Sequence, residues 1–418
     1  MYDLVVIGGG AAGMMAAGWA AKNGSKVLLI EKMEKLGRKV RISGKGRCNI
    51  TNSCTPEEFV ERLRTGQEFF RPAFKAFNNR SAVRFFERMG VRTVEEQGGR
   101  IFPKSGNAWD VADALMYWCR DNEVEIQLNT KVTNILTAAN SIYGVEFENK
   151  RGFKRRVDTR NVVVATGGVT YPLTGSTGDG YDFADRAGHS IVPLRPSLVP
   201  LVPDVKDIDL LVGLKLKNVN VELIVNGKST AAEFGEMSFS ARGVEGAVVL
   251  RLSRDAVDAL CDDKKVALKI DLKPALTPEI IKARIERERG DMADDAFFGD
   301  LLRRLAPPQL VVYIAGWLGI PTTTYLSKIT DKQVDMLIDT LKCLVIPIAD
   351  FRPMSEAIVT AGGVSLDEVD PESMQSLKIK GLYFAGEVLD LDGNTGGFNL
   401  QIAFSTGYLA GQLKNRSL

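Results

Sequence analysis

Histidine is almost missing from this chain: His189 stands alone in 418 residues. That leaves a catalytic triad or a multi-histidine metal site nearly excluded. His189 follows Gly188 at an expected helix end, where a structural role suffices. Cysteine is also scarce: Cys48, Cys54, Cys119, Cys261 and Cys343 are odd in number and scattered, without a C-x-x-C pair. They predict neither a disulfide framework nor a metal cluster, but reduced thiols in the cytoplasm. An excess of charge is lacking too, since 54 Lys+Arg against 52 Asp+Glu leave a formal +2. No overall field draws the protein to nucleic acid or an anionic membrane, so neither is expected as a partner. Only Leu4 to Ala21 is an uncharged run of near-spanning length, and its Gly8, Gly10 and Gly13 argue against a membrane or signal segment. With so few side chains suited to catalysis, a bound cofactor is expected to carry the chemistry.

What is present is ample for a folded enzyme. The 418 residues, 45% hydrophobic and 25% charged, suffice for two or three ordinary domains. Tyr2 to Ile7 and Lys26 to Ile30 read as buried parallel strands around a small-residue helix from Ala11 to Asn23, a β-α-β unit. Helical patterns run from Pro56 to Met89 and from about Asp110 to Asp121. Strand patterns cover Glu125–Leu128, Lys131–Leu136, Ser141–Phe147 and Val157–Val164. Prolines 193, 196, 200 and 203 mark a boundary near Ile191. The predicted fold is α/β: a Rossmann-type domain (1–191 and 350–418), a β-rich insertion (192–275, with 343–349) and a helical insertion (276–342).

Gly8-Gly9-Gly10-Ala11-Ala12-Gly13 fits G-x-G-x-x-G between a strand and a helix, and Glu31 ends the next strand. Strand, glycines, helix and an acid about 20 residues on form the dinucleotide fingerprint. Gly8 makes the turn, Gly10 admits a pyrophosphate and Gly13 lets helix and strand approach. Exposed N–H groups at the helix start then hold the phosphates. Glu31 is suited to ribose hydroxyls, which favours FAD over FMN.

The segment Leu36 to Asn52, LGRKVRISGKGRCNITN, is basic, glycine-rich and set directly after this unit. With it go Gly99–Pro103, Val162–Gly168, Thr174–Gly180, Thr360–Val364 and Gly381–Asp390, running on to Gly396–Gln401. Together these motifs resemble the bacterial NAD(P)/FAD-dependent oxidoreductase family that includes aminoacetone oxidase and a bile acid reductase. More distantly they look like the fumarate reductase and succinate dehydrogenase flavoproteins. The resemblance covers nearly the whole chain and implies a glutathione-reductase-like FAD domain. It implies cofactor contacts at Gly8, Gly10, Ala11, Ala12, Gly13, Glu31 and Lys32. Further contacts follow at Gly37, Arg38, Lys39, Ser43, Gly44, Gly46, Arg47, Cys48, Asn49, Lys131 and Val132. The later motifs add Ala165, Thr166, Gly167, Gly168, Gly386, Glu387, Gly396, Gly397, Phe398, Asn399 and Leu400. Gly396-Gly397 opens the last helix, whose N–H groups suit the anionic edge of a reduced flavin.

Other signals weigh less. Asp390-Leu391-Asp392-Gly393-Asn394 resembles a calcium loop, but its glycine is early and position twelve is Gln401, so no metal is expected. Lys32 to Arg47 carries seven cations against one acid without aromatics for base stacking, which favours phosphate neutralisation over nucleic acid. Many family members carry Phe-Thr-His in the β insertion where this chain has Phe239-Ser240-Ala241-Arg242; Arg242 with Glu245 becomes a substitute for the lost histidine. Arg47, Cys48, Tyr171 and Arg352 are the candidate catalytic residues. The expected function is hydride transfer between flavin N5 and a small organic substrate entering between the domains, with NAD(P)H as an electron donor. An amine oxidase using O₂, a flavin-dependent RNA-modifying enzyme and a flavin sensor remain alternatives. A second dinucleotide fingerprint is missing between Ile191 and Asp350, so NAD(P)H has no Rossmann site of its own.

Overall fold

The computed structural model describes residues 1–414. Residues 415–418, which the sequence assigns to the cofactor domain, lie outside the described residues. The chain divides into two compact units, one of Met1–Pro196 with the chain from Ala357 onward, the other Ser197–Glu356.

The first unit is built on a parallel sheet whose strands, in spatial order, are Leu382–Phe384, Val162–Val164, Leu4–Ile7, Val27–Ile30 and Glu125–Gln127. The central strands, LVVI, VLLI and VVV, are buried on both faces, as parallel strands covered by helices must be. The helix Ala11–Lys22 lies close on this sheet because a Cβ at Gly13 would stand 1.9 Å from the Gly8 carbonyl oxygen. The last helix, Phe398–Ala410, packs on Ala11–Lys22 for the same reason: a Cβ at Gly407 would meet the Ala12 carbonyl at 2.4 Å. Small residues let the two backbones approach.

An antiparallel sheet of Thr130–Ala138, Ser141–Asn149 and Lys154–Asp158 is joined to the same unit. The Val157–Val164 segment, expected as one strand, divides here into Lys154–Asp158 and Val162–Val164. Thr159 Oγ1 donates to the Asn161 carbonyl at 3.0 Å and Asn161 Nδ2 to the Asp3 carbonyl at 2.9 Å, so side chains take over the bonding that a continuous strand would use.

The second unit is a closed antiparallel barrel of Leu201–Pro203, Gly243–Glu245, Lys228–Ser240, Lys215–Val225, Val266–Asp271 and Leu344–Phe351. Four helices, Pro278–Gly290, Phe298–Leu305, Pro308–Leu318 and Asp331–Lys342, occupy the span expected to be helical. Two differences from expectation stand out. Ala247–Cys261 is a helix inside the stretch read as mostly β, with Val248, Val249, Leu252, Ala256 and Ala259 buried at helical spacing. The barrel and the helices also share one apolar core, so the span divided at 275/276 packs as one unit. The units part at Pro196/Ser197 and Glu356/Ala357, beyond 191 and 350, because Ile191–Ser197 pairs with Val359–Val364. Arg352 therefore belongs to the barrel unit. Among the described residues no helix is long and apolar enough to cross a membrane.

Candidate functional site

The strand Leu4–Ile7 ends at Gly8, whose φ of +101° and contact with Ala165 leave no room for a side chain. The chain then turns into the helix at Gly10, in extended conformation with open space where a Cβ would stand. Across the turn, Glu31 is half-buried. Its carboxylate accepts from the Gly9 N–H and the Met33 N–H, both at 2.7 Å. Burial pushes the Glu31 carboxyl above the ordinary carboxylate range, and these backbone bonds only partly offset it. The carboxylate is thus fixed at the head of a cavity and has hydrogen-bonding capacity to spare.

That cavity runs through the first unit. Its wall includes Gly8, Gly10, Ala11, Ala12, Glu31, Lys32, Gly37, Arg38, Lys39 and Ser43 from the N-terminal segment. Lys131, Val132, Ala165, Thr166, Gly167, Gly386, Glu387, Asn399 and Leu400 complete it from four distant stretches. The parallel sheet places Ile7, Val164 and Phe384 in register, so that the turns leaving those strands share one edge.

Two charged clusters line the cavity. Lys39 Nζ donates to Glu387 at 2.7 Å and to Thr170 Oγ1 at 2.7 Å, while the Thr360 N–H donates to Glu387 at 2.9 Å. The Tyr171 ring lies 5.8 Å from the Lys39 ammonium. In the second cluster Lys32 bonds Asp179 at 2.6 Å and Thr177, with Lys131 3.4 Å from Asp179. Burial works to raise the Asp179 pKa, but these lysines prevail and hold it below its ordinary value.

Several expected residues lie elsewhere. Arg47 is exposed, bonded to Glu96 and stacked 4.3 Å over Phe102. Cys48 is fully buried at φ +57°, and burial pushes its thiol up to about 12, too high for a thiolate nucleophile at neutral pH. Gly44 interrupts the helix Arg38–Gly46 at φ +56°, and Gly46, at φ +83°, faces open space. Neither lines the cavity wall, nor do Gly13, Gly168, Gly396, Gly397 and Phe398. Gly13 and Gly168 serve packing: a Cβ on Gly168 would meet Thr360 at 2.2 Å. Gly397, at φ +98°, sits against the Thr51 backbone and seats the last helix. Tyr171 holds a left-handed backbone at φ +52°, a strained conformation for an aromatic residue. Arg352 forks onto Glu356 at 2.6 Å and Arg242 onto Glu245 at 2.7 Å, both in the barrel unit. His189 is buried, bonded to Ser376 at 2.8 Å and lying edge-on to Phe384.

Thr170, Thr360 and Asp179 were not singled out by sequence. Thr360 and Asp179 stand inside quoted motifs, so glycine-rich spacing was the available signal; nothing marked Thr170 apart from its adjacency to Tyr171.

The residues present fit FAD. A pyrophosphate needs bare backbone at a helix start, which Gly10 offers, and an adenosine ribose needs a fixed acceptor, which Glu31 offers. Near the start of the last helix, Thr51 Oγ1 and Asn394 Oδ1 are buried without a hydrogen-bond partner among the described residues. Such groups suit a ligand edge bearing its own donors and acceptors.

Comparison with known proteins agrees. The family model described as the HI0933-like protein Rossmann domain matches residues 2–413. A 3-dehydro-bile acid delta(4,6)-reductase of Clostridium scindens is 30% identical, the match covering 99% of this chain and 98% of the relative. A ribosomal RNA dihydrouridine synthase of Haemophilus influenzae is 28% identical, over 97% of this chain and 96% of the relative. Among solved structures, 3-ketosteroid-delta4-(5alpha)-dehydrogenase from Rhodococcus jostii superimposes with TM-score 0.54 at 15% identity, covering 98% of this chain and 96% of that one, which shows the shared fold. From its one fingerprint cavity to its full-length family match, this chain belongs to the HI0933-like Rossmann family and is an FAD-dependent oxidoreductase.

Proposed function

We propose that the protein reduces a polarised carbon–carbon double bond of a small organic substrate, using electrons from NAD(P)H. The observation that carries this reading is the pair of full-length relatives. One is named a delta(4,6)-reductase and the other a dihydrouridine synthase, and both names describe adding two hydrogens across a double bond. FAD, when bound, supplies a carrier that takes up and releases hydride at N5.

The chain's own residues supply the rest. The Gly8–Gly13 turn would hold the pyrophosphate and Glu31 the adenosine ribose. The start of the helix Phe398–Ala410 would favour negative charge by about 0.3–1 kcal/mol, and up to ~2 in a partly buried setting. Tyr171, beside Lys39, is the candidate hydroxyl for protonating the substrate. Arg47 and Cys48 are not assigned catalytic work, given the ion pair of the first and the unionised thiol of the second. With one fingerprint in the chain, NAD(P)H would dock transiently where the substrate docks, giving ping-pong kinetics and mutual competition. Free cysteines, two of them exposed, fit a reducing cytoplasm.

Rapid mixing of the yellow protein under argon tests the reading. Bleaching of the flavin by NADH or NADPH, followed by reoxidation with a conjugated steroid enone, is the expected result. Bleaching by a small amine with peroxide formed in air would instead make it an oxidase. Reoxidation by uridine-containing RNA alone would move the substrate to nucleic acid. Saturable NAD(P)H binding unaffected by substrate would end the shared-site model.

A further inference from the structure

The hairpin joining Ser141–Asn149 to Lys154–Asp158 carries a tip that the cofactor cavity does not use. Its residues 149–155 read Asn-Lys-Arg-Gly-Phe-Lys-Arg, four cations and an aromatic with no carboxylate. The turn is ordered by its own bonds and by the Lys150 N–H, which donates to the Asn129 carbonyl at 3.1 Å. Asn149 Oδ1 accepts from the Arg151 N–H at 2.9 Å and the Phe153 N–H at 3.2 Å, and Gly152 takes φ +79°. Phe153 is thereby presented outward, 63% exposed. Lys150, Arg151, Lys154 and Arg155 are all exposed around it, with Arg160 further along the same edge. Among the described residues none of these five cations forms an ion pair. Two acids stand near them: Glu34, which senses Lys150, is forked onto Arg38, and Glu148 lies opposite Lys154 on the ladder with its carboxylate 3.8 Å from where a Cβ on Gly152 would stand, leaving the cations in excess.

From this tip we propose that the protein docks peripherally on an anionic lipid surface, with Phe153 entering the interfacial region and the surrounding cations contacting lipid phosphates. A single exposed aromatic at a hairpin turn, flanked by cations without ion pairs, matches an interfacial anchor in charge and polarity. Charges alone would also keep the edge strand Lys154–Asp158 from pairing with other chains, but that role does not call for an exposed phenyl ring at the tip. A single-stranded nucleic acid fits less well, because base stacking calls for successive free aromatic faces. The other exposed ring of this hairpin, Tyr143, lies toward its far end and is already covered by Arg156 at 5.1 Å, and Arg156 is tied to Asp158 at 3.0 Å.

The test is co-sedimentation of the full FAD-loaded chain with phosphatidylcholine vesicles, with and without phosphatidylglycerol, at low and high salt. Binding is expected only with phosphatidylglycerol. It should weaken with salt and fall roughly fivefold for each cation neutralised among Lys150→Gln, Arg151→Gln, Lys154→Gln and Arg155→Gln. Phe153→Trp should gain fluorescence that shifts to the blue on anionic vesicles and is quenched by brominated acyl chains, whereas Phe153→Ser should bind more weakly with its flavin spectrum unchanged. Absence of lipid-dependent sedimentation, sedimentation indifferent to these substitutions, or an RNA homopolymer that displaces the protein from vesicles through the same residues would overturn the proposal.

Discussion

At residue scale the cofactor turn separates two demands that glycine meets. Gly13 is required by the fold, since a Cβ there would lie 1.9 Å from the Gly8 carbonyl oxygen, whereas Gly10 borders open space at an ordinary negative φ. Gly13→Ala should therefore destabilise the apoprotein, by about 1–3 kcal/mol or more as overpacking does. Gly10→Ala should leave apoprotein stability unchanged yet weaken FAD, because the new methyl group fills the approach to the pyrophosphate. Urea melts of both apoproteins beside FAD titrations would show this split; equal melting of the two would refute it. Glu31→Ala should weaken FAD by about 1.5–3 kcal/mol if a charged hydrogen bond to ribose is lost, or roughly 10- to 150-fold in Kd. Unchanged affinity would take Glu31 out of the site. Gly10, Gly13 and Glu31 are legible from spacing alone. The placement of Cys48 is not, because a thiol beside Arg47 in sequence suggests activation while burial forbids it.

At the scale of elements, short segments far apart in the chain are tied by single side chains. Glu368 joins the Ser190 region to Lys378: it accepts from the Ser190 N–H at 2.8 Å, the Ser190 hydroxyl at 2.9 Å and Lys378 at 2.7 Å. Burial works to raise its pKa, but the Lys378 and Ser190 bonds prevail and hold it at about 2. A carboxyl depressed in the folded state stabilises above its unfolded value, about 4.3, and loses that contribution as pH falls toward 2. Glu368→Gln should lower the urea midpoint near neutral pH, and the gap from the parent should narrow steadily below about pH 4. A gap independent of pH would mean that shape, not charge, carries the contact. The helix Ala247–Cys261 teaches a related lesson, since its 3–4 spacing was present in the sequence. The alternating strands on either side obscured it.

At the scale of the molecule there are two units with separate apolar cores, and the fingerprint turn and cavity belong to the one that holds Met1–Pro196. A ligand that binds only one folded unit raises the stability of that unit by mass action, about 2.7 kcal/mol at a hundredfold excess over Kd. Calorimetry should show two transitions, with added FAD raising one by several degrees and leaving the other in place. A single transition that shifts as a whole would show that the units unfold together.

The local chemistry of this protein was determined by sequence alone. Glycines at fixed intervals, a small-residue helix and Glu31 at a strand end dictate a dinucleotide turn, because close backbone approach and anion binding have few other solutions. Family likeness extended that to FAD. Only the tertiary structure decided that Lys39 meets Glu387, that Lys32 and Lys131 meet Asp179, that barrel and helices share a core, and that Arg47 faces Glu96. Those partners are separated by tens to hundreds of residues, and their meeting depends on strand order and burial, which spacing along a chain does not encode.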